Sequence, residues 1–240
     1  MIYVLPRTGV EYGDFQITVY RSCYYQCRYC WAWNIPLMSK RISRGKYDPV
    51  REAVKLSMVS KPSKIVVSFT SDPYQPVEKE KQLTRRVLKV LSNSKHTILI
   101  LTKNPKLAVE RDIDILRKGR FWLGTTITSL EKTSWEPNAP HPRTRLEALK
   151  KAHSEGIRTW ISIEPIIPFI TYPEKIVAET VSYVDWYVLG SLNYVPQLKL
   201  PFTREDVVKW CRKHVPLAIR YLKKLNKEFL IKKELREIIF

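Results

Sequence analysis

The feature that most constrains the fold is a regular alternation of short β-prone runs with segments of helical periodicity. The predicted strands are residues 15–20, 65–69, 97–101, 121–127, 158–163 and 186–189. The predicted helices between them are residues 48–58, 82–92, 107–116, 144–153 and 176–181. Strands joined by helical crossovers form a parallel sheet, so the pattern predicts an α/β fold with a sheet that is open or closing towards a barrel.

The C-terminal segment departs from this alternation. Two further helices are predicted, over residues 204–214 and from 217 to about 233. The second has an apolar side that would cover the open edge of a barrel, and its lysines, including Lys232, fit a solvated surface better than a binding site. Because 240 residues suffice for one sizeable core, we interpret residues 1–200 as the main domain and 201–240 as a helical extension packed on it.

Polar or reactive side chains follow each predicted strand. Along the chain they are the cysteine-containing loop after residue 20, Thr70 to Tyr74, Thr102 to Asn104, Thr125 with Thr126 and Thr128, Glu164 with Pro165, and Gly190 to Asn193. The carboxyl ends of parallel strands meet at one edge of a sheet, where active groups gather in such folds. We therefore expect these side chains to share one site.

The loop after the first strand holds three of the four cysteines, Cys23, Cys27 and Cys30. Thiolates this close together select zinc or an iron–sulfur centre. A structural zinc site needs four ligands, usually in two pairs, and the chain has no second Cys-x2-Cys pair. A zinc site completed by Cys211 or a histidine is the alternative to a cluster that keeps one iron open.

The spacing Cys-x3-Cys-x-aromatic-Cys, with Tyr29 as the aromatic residue, resembles the motif of the radical S-adenosylmethionine superfamily. The resemblance implies a [4Fe-4S] cluster on Cys23, Cys27 and Cys30, with the open iron chelating the amino and carboxylate groups of S-adenosylmethionine. One electron then cleaves the sulfonium and gives a 5'-deoxyadenosyl radical. An external donor of the ferredoxin or flavodoxin type would supply that electron.

Further segments resemble the branch of this superfamily related to spore photoproduct lyase, often described as DNA repair photolyase-like. They are Phe69 to Pro76 (FTSDPYQP), Leu101 to Asn104 (LTKN), Glu136 to Pro140 (EPNAP), Arg145 to Leu149 (RLEAL) and Glu164 to Pro168 (EPIIP). The likeness extends over about residues 15–192 and implies a (β/α)6 partial barrel of the TIM type.

The resemblance also implies cofactor-binding side chains at the strand ends, namely Tyr29, Ser71, Asp72, Lys103, Thr126 and Glu164. Tyr29 would pack near the cluster and the adenine, and Ser71 would help hold the methionyl amino group. Lys103 suits the methionyl carboxylate because a cation compensates a charge in a low-dielectric site. Thr126 and Glu164 would contact the ribose or sulfonium region, unless Glu164 faces the substrate. The alternatives are turn residues for Ser71 and Asp72 and a surface lysine for Lys103.

The charge balance points to a polyanionic partner. Forty-two Lys and Arg against 23 Asp and Glu give a net charge of +19, and acids this few argue against a thermophile's mixed ionic surface. No acidic residue occurs in residues 15–47. That segment contains Arg21, Arg28, Lys40, Arg41, Arg44 and Lys46 together with Tyr24, Tyr25, Trp31 and Trp33.

Cations interleaved with aromatic rings grip phosphates and stack on unpaired bases, although the same rings would also shield a cluster from water. Our leading hypothesis is a radical S-adenosylmethionine enzyme that acts on nucleic acid, DNA or RNA, in repair or modification. The alternatives are a radical enzyme acting on a peptide or small metabolite, and a non-catalytic, metal-stabilised nucleic-acid-binding module.

One position separates the chain from spore photoproduct lyase. In that enzyme a cysteine just before the Thr-Ser-Asp segment returns a hydrogen atom to the product radical, and the corresponding residue here is Phe69. Phenylalanine has no weak X–H bond, so the resemblance predicts no efficient repair of this lesion unless Cys211 or Tyr74 replaces the donor. Cys211 shares an apolar stripe with Val207 and Val215, which indicates a buried structural thiol.

The composition also bears on location. The chain is 44% hydrophobic and 27% charged, with no apolar run long enough to span a bilayer and no basic-then-apolar leader in residues 1–10. Three clustered cysteines are not a disulfide framework, and an oxygen-sensitive cluster needs a reducing compartment. We therefore expect a cytoplasmic protein without a membrane partner.

Overall fold

A seven-stranded parallel sheet forms the centre of the protein. A computed structural model describes residues 8–43 and 47–240, and within them each strand lies beside its predecessor in the chain. The strands are β1 (Phe15–Ile17), β2 (Lys64–Val67), β3 (Thr97–Leu101), β4 (Phe121–Thr126), β5 (Arg158–Ile166), β6 (Trp186–Ser191) and β7 (Glu228–Ile231). The predicted α/β partial barrel is confirmed, with one strand more than the six expected.

Helices connect the strands. Those of the described residues are α1 (Trp31–Asn34), α2 (Pro36–Ser43), α3 (Pro49–Ser57), α4 (Glu78–Lys81), α5 (Leu83–Leu91), α6 (Pro105–Leu116), α7 (Pro142–Ser154), α8 (Pro173–Thr180), α9 (Arg204–Lys224) and α10 (Lys233–Ile239). Helix α3 begins as its sequence predicts, because the Asp48 side chain accepts the free N–H groups of Val50 and Arg51. None of the helices in residues 8–43 and 47–240 is both long and apolar enough to cross a bilayer.

Part of the basic segment lies outside the described residues. Arg44, Lys46 and residues 1–7 lie outside the described residues, as does the side chain of Arg41. The predicted cluster of cations around the cysteine loop is therefore represented by Arg21, Arg28 and Lys40.

The C-terminal helix prediction is wrong over residues 228–231, which form β7 in parallel register with β6. The two predicted helices are instead one, α9, which continues through Pro216. The helix ends just before Asn226, whose φ of 49° places it in the left-handed conformation that terminates helices. The apolar run after this turn then pairs with the exposed edge of β6 and extends the sheet.

The inside of the sheet is filled at one end and open at the other. Val66, Leu99 and Trp160 form an apolar floor, on which Tyr12 packs edge to face at 5.5 Å from Trp160. A second, larger core lies between the sheet and the helices. The polar residues that follow the strands surround the open space beyond this floor.

Replacing Gly124 by alanine should destabilise the fold, because a β-carbon there would lie 2.3 Å from the buried Trp160 ring. Overpacking of this kind typically costs roughly 1–3 kcal/mol. Urea unfolding would measure the loss. Gly9→Ala is the control, since nothing lies within 4 Å of a β-carbon at that position. Equal stability of the two variants would contradict the close packing of Gly124 against Trp160.

Candidate active site

A cavity of about 490 Å³ opens at the carboxyl ends of the strands. This volume lies within the range of small-molecule sites. Every residue predicted to bind metal or cofactor lines it, namely Cys23, Cys27, Cys30, Tyr29, Ser71, Asp72, Lys103, Thr126 and Glu164. Because the strands are parallel, their carboxyl ends meet at one edge of the sheet and bring these residues together.

The three cysteines of the loop after β1 are free thiols. Cys27 is buried, and burial raises the pKa of Cys23 to about 11 and the pKa of Cys27 to about 12. Thiols with such values are protonated at neutral pH, so metal binding must release protons.

The three thiols belong to one local cluster of side chains. In the described part of the chain, no three ligating side chains lie close enough to surround one metal ion. A [4Fe-4S] cluster takes its thiolates on separate irons, and three cysteines of one loop that line one cavity suit such a centre.

Asp72 holds the second and third strand ends together. Its carboxylate accepts hydrogen bonds from the backbone N–H of Tyr74 at 2.8 Å, the Thr102 hydroxyl at 2.6 Å and the backbone N–H of Lys103 at 2.7 Å. Burial raises the pKa of this carboxyl, and the three donors oppose that shift. Both oxygens are engaged by the protein, so the geometry favours positioning of Lys103 over direct contact with a ligand.

Ser71 presents an unsatisfied polar group to the same space. Its hydroxyl is buried and has no hydrogen-bond partner among the described residues. A buried hydroxyl without a partner carries a desolvation cost, which a polar ligand atom would remove. The cavity therefore fits a ligand with a hydrogen-bonding group beside Ser71, as an amino acid moiety would provide.

A buried carboxylate that the sequence did not single out lies beside the cysteine loop. Glu136 accepts a hydrogen bond from the Tyr29 hydroxyl and lies 2.5 Å from an Arg145 guanidinium nitrogen and 3.5 Å from the Lys103 ammonium. Burial favours the neutral acid, but Lys103 and Arg145 outweigh it and lower the pKa of Glu136 to about 2. Glu136 is thus held by two cations, and the nearby Asp72 carboxylate also acts on Lys103.

The sequence prediction gave no role to Glu136 or Arg145, although both lie in segments that resemble the superfamily branch. Arg145 also donates to the backbone carbonyls of Pro140 at 2.8 Å and Thr126 at 3.0 Å. It therefore fixes the end of β4 as well as Glu136. A buried arginine and glutamate nine positions apart across a loop leave no periodic signal, which is why sequence reasoning did not pair them.

A second ion pair lines the cavity at the ends of β5 and β7. The Lys232 ammonium donates to Glu164 Oε1 at 2.7 Å and lies 5.6 Å from the centre of the Phe69 ring. The interpretation of Lys232 as a solvated helix lysine is wrong, because it follows β7 and points into the cavity. Gly190 makes room for this pair, since a β-carbon there would lie 2.8 Å from the Glu164 carboxyl carbon.

The aromatic residues of the basic segment divide into two groups. Tyr25 is 2% exposed and its hydroxyl donates to the backbone carbonyl of Tyr74, so it shields the loop and cannot stack on a base. Tyr24 is 54% exposed. Trp31 lines the cavity with its ring 6.2 Å from that of Tyr194, also a lining residue. Some of these rings therefore shield the cysteine loop, and others are placed where they could stack on a base.

Sequence comparisons identify relatives. The family model described as Radical SAM superfamily matches residues 17–180. An uncharacterized protein of Methanocaldococcus jannaschii is 33% identical over 195 residues, which cover 78% of this chain and 73% of the relative. An uncharacterized protein of Acidianus two-tailed virus is 33% identical over 112 residues, covering 43% of this chain and 35% of the viral protein.

Structural comparisons find the same fold. A spore photoproduct lyase mutant with bound AdoMet and dinucleoside spore photoproduct has a TM-score of 0.67 at 14% identity, covering 96% of this chain and 79% of the lyase. Streptococcus suis SuiB bound to the precursor peptide SuiA has a TM-score of 0.62 at 14% identity, covering 91% of this chain but 48% of SuiB. At this identity the likeness shows the fold, and the two proteins bind different kinds of substrate.

Replacing Glu136 by glutamine should flatten the acid dependence of stability. The folded-state pKa of about 2 lies below the ordinary glutamate value, so the charge stabilises the fold above about pH 4.5 and this contribution is lost as the pH falls towards 2. Between those limits, wild-type protein should lose roughly 3 kcal/mol more than the variant. Urea unfolding at a series of pH values measures this difference.

Glu110→Gln is the control for the acid series, because Glu110 lies on the exposed side of α6. It should follow the wild-type curve. Parallel curves for wild type and Glu136→Gln would contradict the assignment of a buried, charged Glu136.

Proposed function

The chain belongs to the radical S-adenosylmethionine superfamily, and from this membership we propose an enzyme that abstracts hydrogen from nucleic acid. It is an S-adenosylmethionine-cleaving enzyme whose cofactors are a [4Fe-4S] cluster and S-adenosylmethionine. When bound, these cofactors supply a 5'-deoxyadenosyl radical that takes a hydrogen atom from a substrate carbon. The substrate and the residues that hold the cofactors are our proposals.

Cys23, Cys27 and Cys30 hold the cluster in this proposal. They line one cavity, lie on one loop and are free thiols, and the backbone N–H groups of Trp33 and Ala32 oppose the rise in the pKa of Cys30 that burial causes. Cys211 is excluded from this role because it is fully buried in α9 and is absent from the described lining of the cavity.

S-adenosylmethionine is held by residues around the same loop. The unpartnered Ser71 hydroxyl takes a polar group of the methionyl end, and Lys103 compensates its carboxylate. Asp72 positions Lys103 by accepting a hydrogen bond from the Lys103 backbone N–H. Glu136 fixes Tyr29 through the Tyr29 hydroxyl, and the Lys103 ammonium lies 5.5 Å from the centre of the Tyr29 ring. Thr126 lies at the end of β4, whose backbone Arg145 holds, and remains assigned to the ribose or sulfonium region.

Charge is the observation that carries the nucleic-acid substrate. The chain has a net charge of +19, and residues 15–47, which include the cysteine loop, contain no acid. Phosphates are attracted to such a surface, and a base in a duplex would have to leave the stack to enter the cavity. Trp31 and Tyr194 at the cavity supply faces on which an extruded base can stack.

A peptide is the second candidate substrate, favoured by the fold that the chain shares with SuiB bound to a precursor peptide. Enzymes of this superfamily also need an electron donor, and we assign that role to an acidic protein of the ferredoxin or flavodoxin type. Free cysteines and an oxygen-sensitive cluster fit a reducing compartment, so we place the enzyme in the cytoplasm.

Spore photoproduct repair in its usual form is not part of the proposal. Phe69 stands where the resemblance calls for a hydrogen-donating cysteine. Neither substitute suggested by the sequence borders the cavity in the described residues, because Cys211 is buried in α9 and the buried Tyr74 hydroxyl donates to Asp112. A radical left on the substrate would need a different donor.

Anaerobic reconstitution should load about four iron atoms per chain, and alanine at Cys23, Cys27 or Cys30 should abolish loading, because each thiolate binds one iron of the cluster. Iron analysis and absorption spectra measure this. Cys211→Ala is the matched control and should retain the cluster. Loss of iron in that variant alone, or one zinc per chain in the wild type, would contradict the cluster assignment.

The substrate class is tested by deuterium transfer. Reduced enzyme with S-adenosylmethionine is incubated with uniformly deuterated single-stranded DNA, RNA or peptides, and 5'-deoxyadenosine is analysed by mass spectrometry. We expect label from a nucleic acid, with binding that weakens roughly tenfold or more between 50 and 200 mM salt. The spore photoproduct dinucleotide should not be converted to two thymines. Label from peptides only, or binding that ignores salt, would overturn the nucleic-acid proposal.

A further inference from the structure

The Lys232–Glu164 pair joins a residue of the family-wide region, Glu164, to one from the C-terminal part of the chain. Lys232 follows β7 and lies outside residues 17–180, the part of the chain that matches the superfamily. Its backbone N–H donates to the Leu189 carbonyl at 2.9 Å, which fixes the residue to β6. A cavity residue that the family-wide region does not supply is better suited to substrate than to the cofactor that all members share.

Each partner of the pair keeps unused hydrogen-bonding capacity. The ammonium of Lys232 has three donors and gives one to Glu164 Oε1, and among the described residues Oε2 of Glu164 has no hydrogen-bond partner. The side chains of Lys232 and Glu164 are 12% and 18% exposed, so water competes weakly there. A charged donor and a charged acceptor therefore stand side by side facing the cavity.

The local charge argues against a phosphate at this position. Glu164 and Glu234 both line the cavity beside Lys232, so two carboxylates accompany one ammonium. A phosphate would be repelled by this net negative charge, whereas a neutral group that both donates and accepts hydrogen bonds would satisfy the pair. The basic surface that attracts nucleic-acid phosphates and the Lys232–Glu164 pair are thus different parts of the molecule.

We infer that Lys232 and Glu164 bind the hydrogen-bonding edge of an extruded nucleobase, an inference that rests on the proposed nucleic-acid substrate. Every base has an acceptor next to an N–H donor on its Watson–Crick edge, which matches an ammonium next to a carboxylate. Phe69, under the Lys232 ammonium, adds an aromatic wall. Lys232 and Glu164 are accordingly substrate-binding residues for the hydrogen abstraction.

Binding to single-stranded probes separates base contacts from phosphate contacts. Reconstituted enzyme with S-adenosylmethionine is titrated, by fluorescence anisotropy, into 12-nucleotide DNAs of one base each and into an abasic 12-mer with the same phosphates. Wild type should bind its preferred base about tenfold more tightly than the abasic strand, the usual discrimination of a bidentate base contact. Lys232→Gln and Glu164→Gln should lose that preference and bind the abasic strand within twofold of wild type.

Two further variants control for charge and for the ion pair. Lys224→Gln removes the same charge from an exposed position of α9 and should keep the preference. The exchange Lys232→Glu with Glu164→Lys preserves the salt bridge but transposes donor and acceptor, so it should shift the preferred base and not restore the original one. Iron content and S-adenosylmethionine binding should be unchanged in each variant, which identifies any that fail to fold.

The outcomes distinguish the two levels of the hypothesis. Absence of salt-dependent binding by wild type would overturn the proposed function and this inference with it. Wild-type preference for a base that persists in Lys232→Gln and Glu164→Gln would overturn the inference alone. Equal weakening for base-containing and abasic strands, or full rescue by the exchanged pair, would also overturn it, because phosphate attraction or a structural salt bridge would then explain the pair.

Discussion

One buried carboxylate holds the cysteine loop to the rest of the site. Glu136 receives the Tyr29 hydroxyl from that loop, the Lys103 ammonium from the end of β3 and the Arg145 guanidinium from α7. Removing it would leave two buried cations without their anion, which in protein interiors is far more costly than a missing neutral contact. The positions of Tyr29 and Lys103 therefore depend on a residue that need not touch any ligand itself.

The charges around this carboxylate give the cavity two unlike sides. Beside the cysteines, Lys103 and Arg145 face the carboxylates of Glu136 and Asp72, and Lys103 offers a cation to the carboxylate of a ligand. At the ends of β5 and β7, Glu164 and Glu234 outnumber Lys232. One open space can thus receive a ligand carboxylate beside Lys103 at one side and a neutral, hydrogen-bonding group at the other.

The parts of the structure that follow from local pattern could be predicted from the sequence. The strand β3 has the predicted bounds, and the rule for parallel sheets placed Cys23, Ser71 and Lys103 around one cavity. What failed depends on contacts between distant segments. β7 is a four-residue run that becomes a strand only by pairing with β6, and the three donors that engage Asp72 cannot be inferred from its place before Pro73.

The residues around the cysteine loop and Lys232 come from different parts of the chain. Residues 17–180 supply the cysteine loop, Ser71, Lys103 and the Glu136 cluster, and they are the part that matches the superfamily. The side chains of β7 pack against the cores, but Lys232 follows this strand and is held by its backbone N–H to Leu189, so Lys232 can change without disturbing Glu136 or the cysteine loop. In the proposed function, the position after this edge strand is thus a place where substrate contacts can vary while the cysteine loop stays the same.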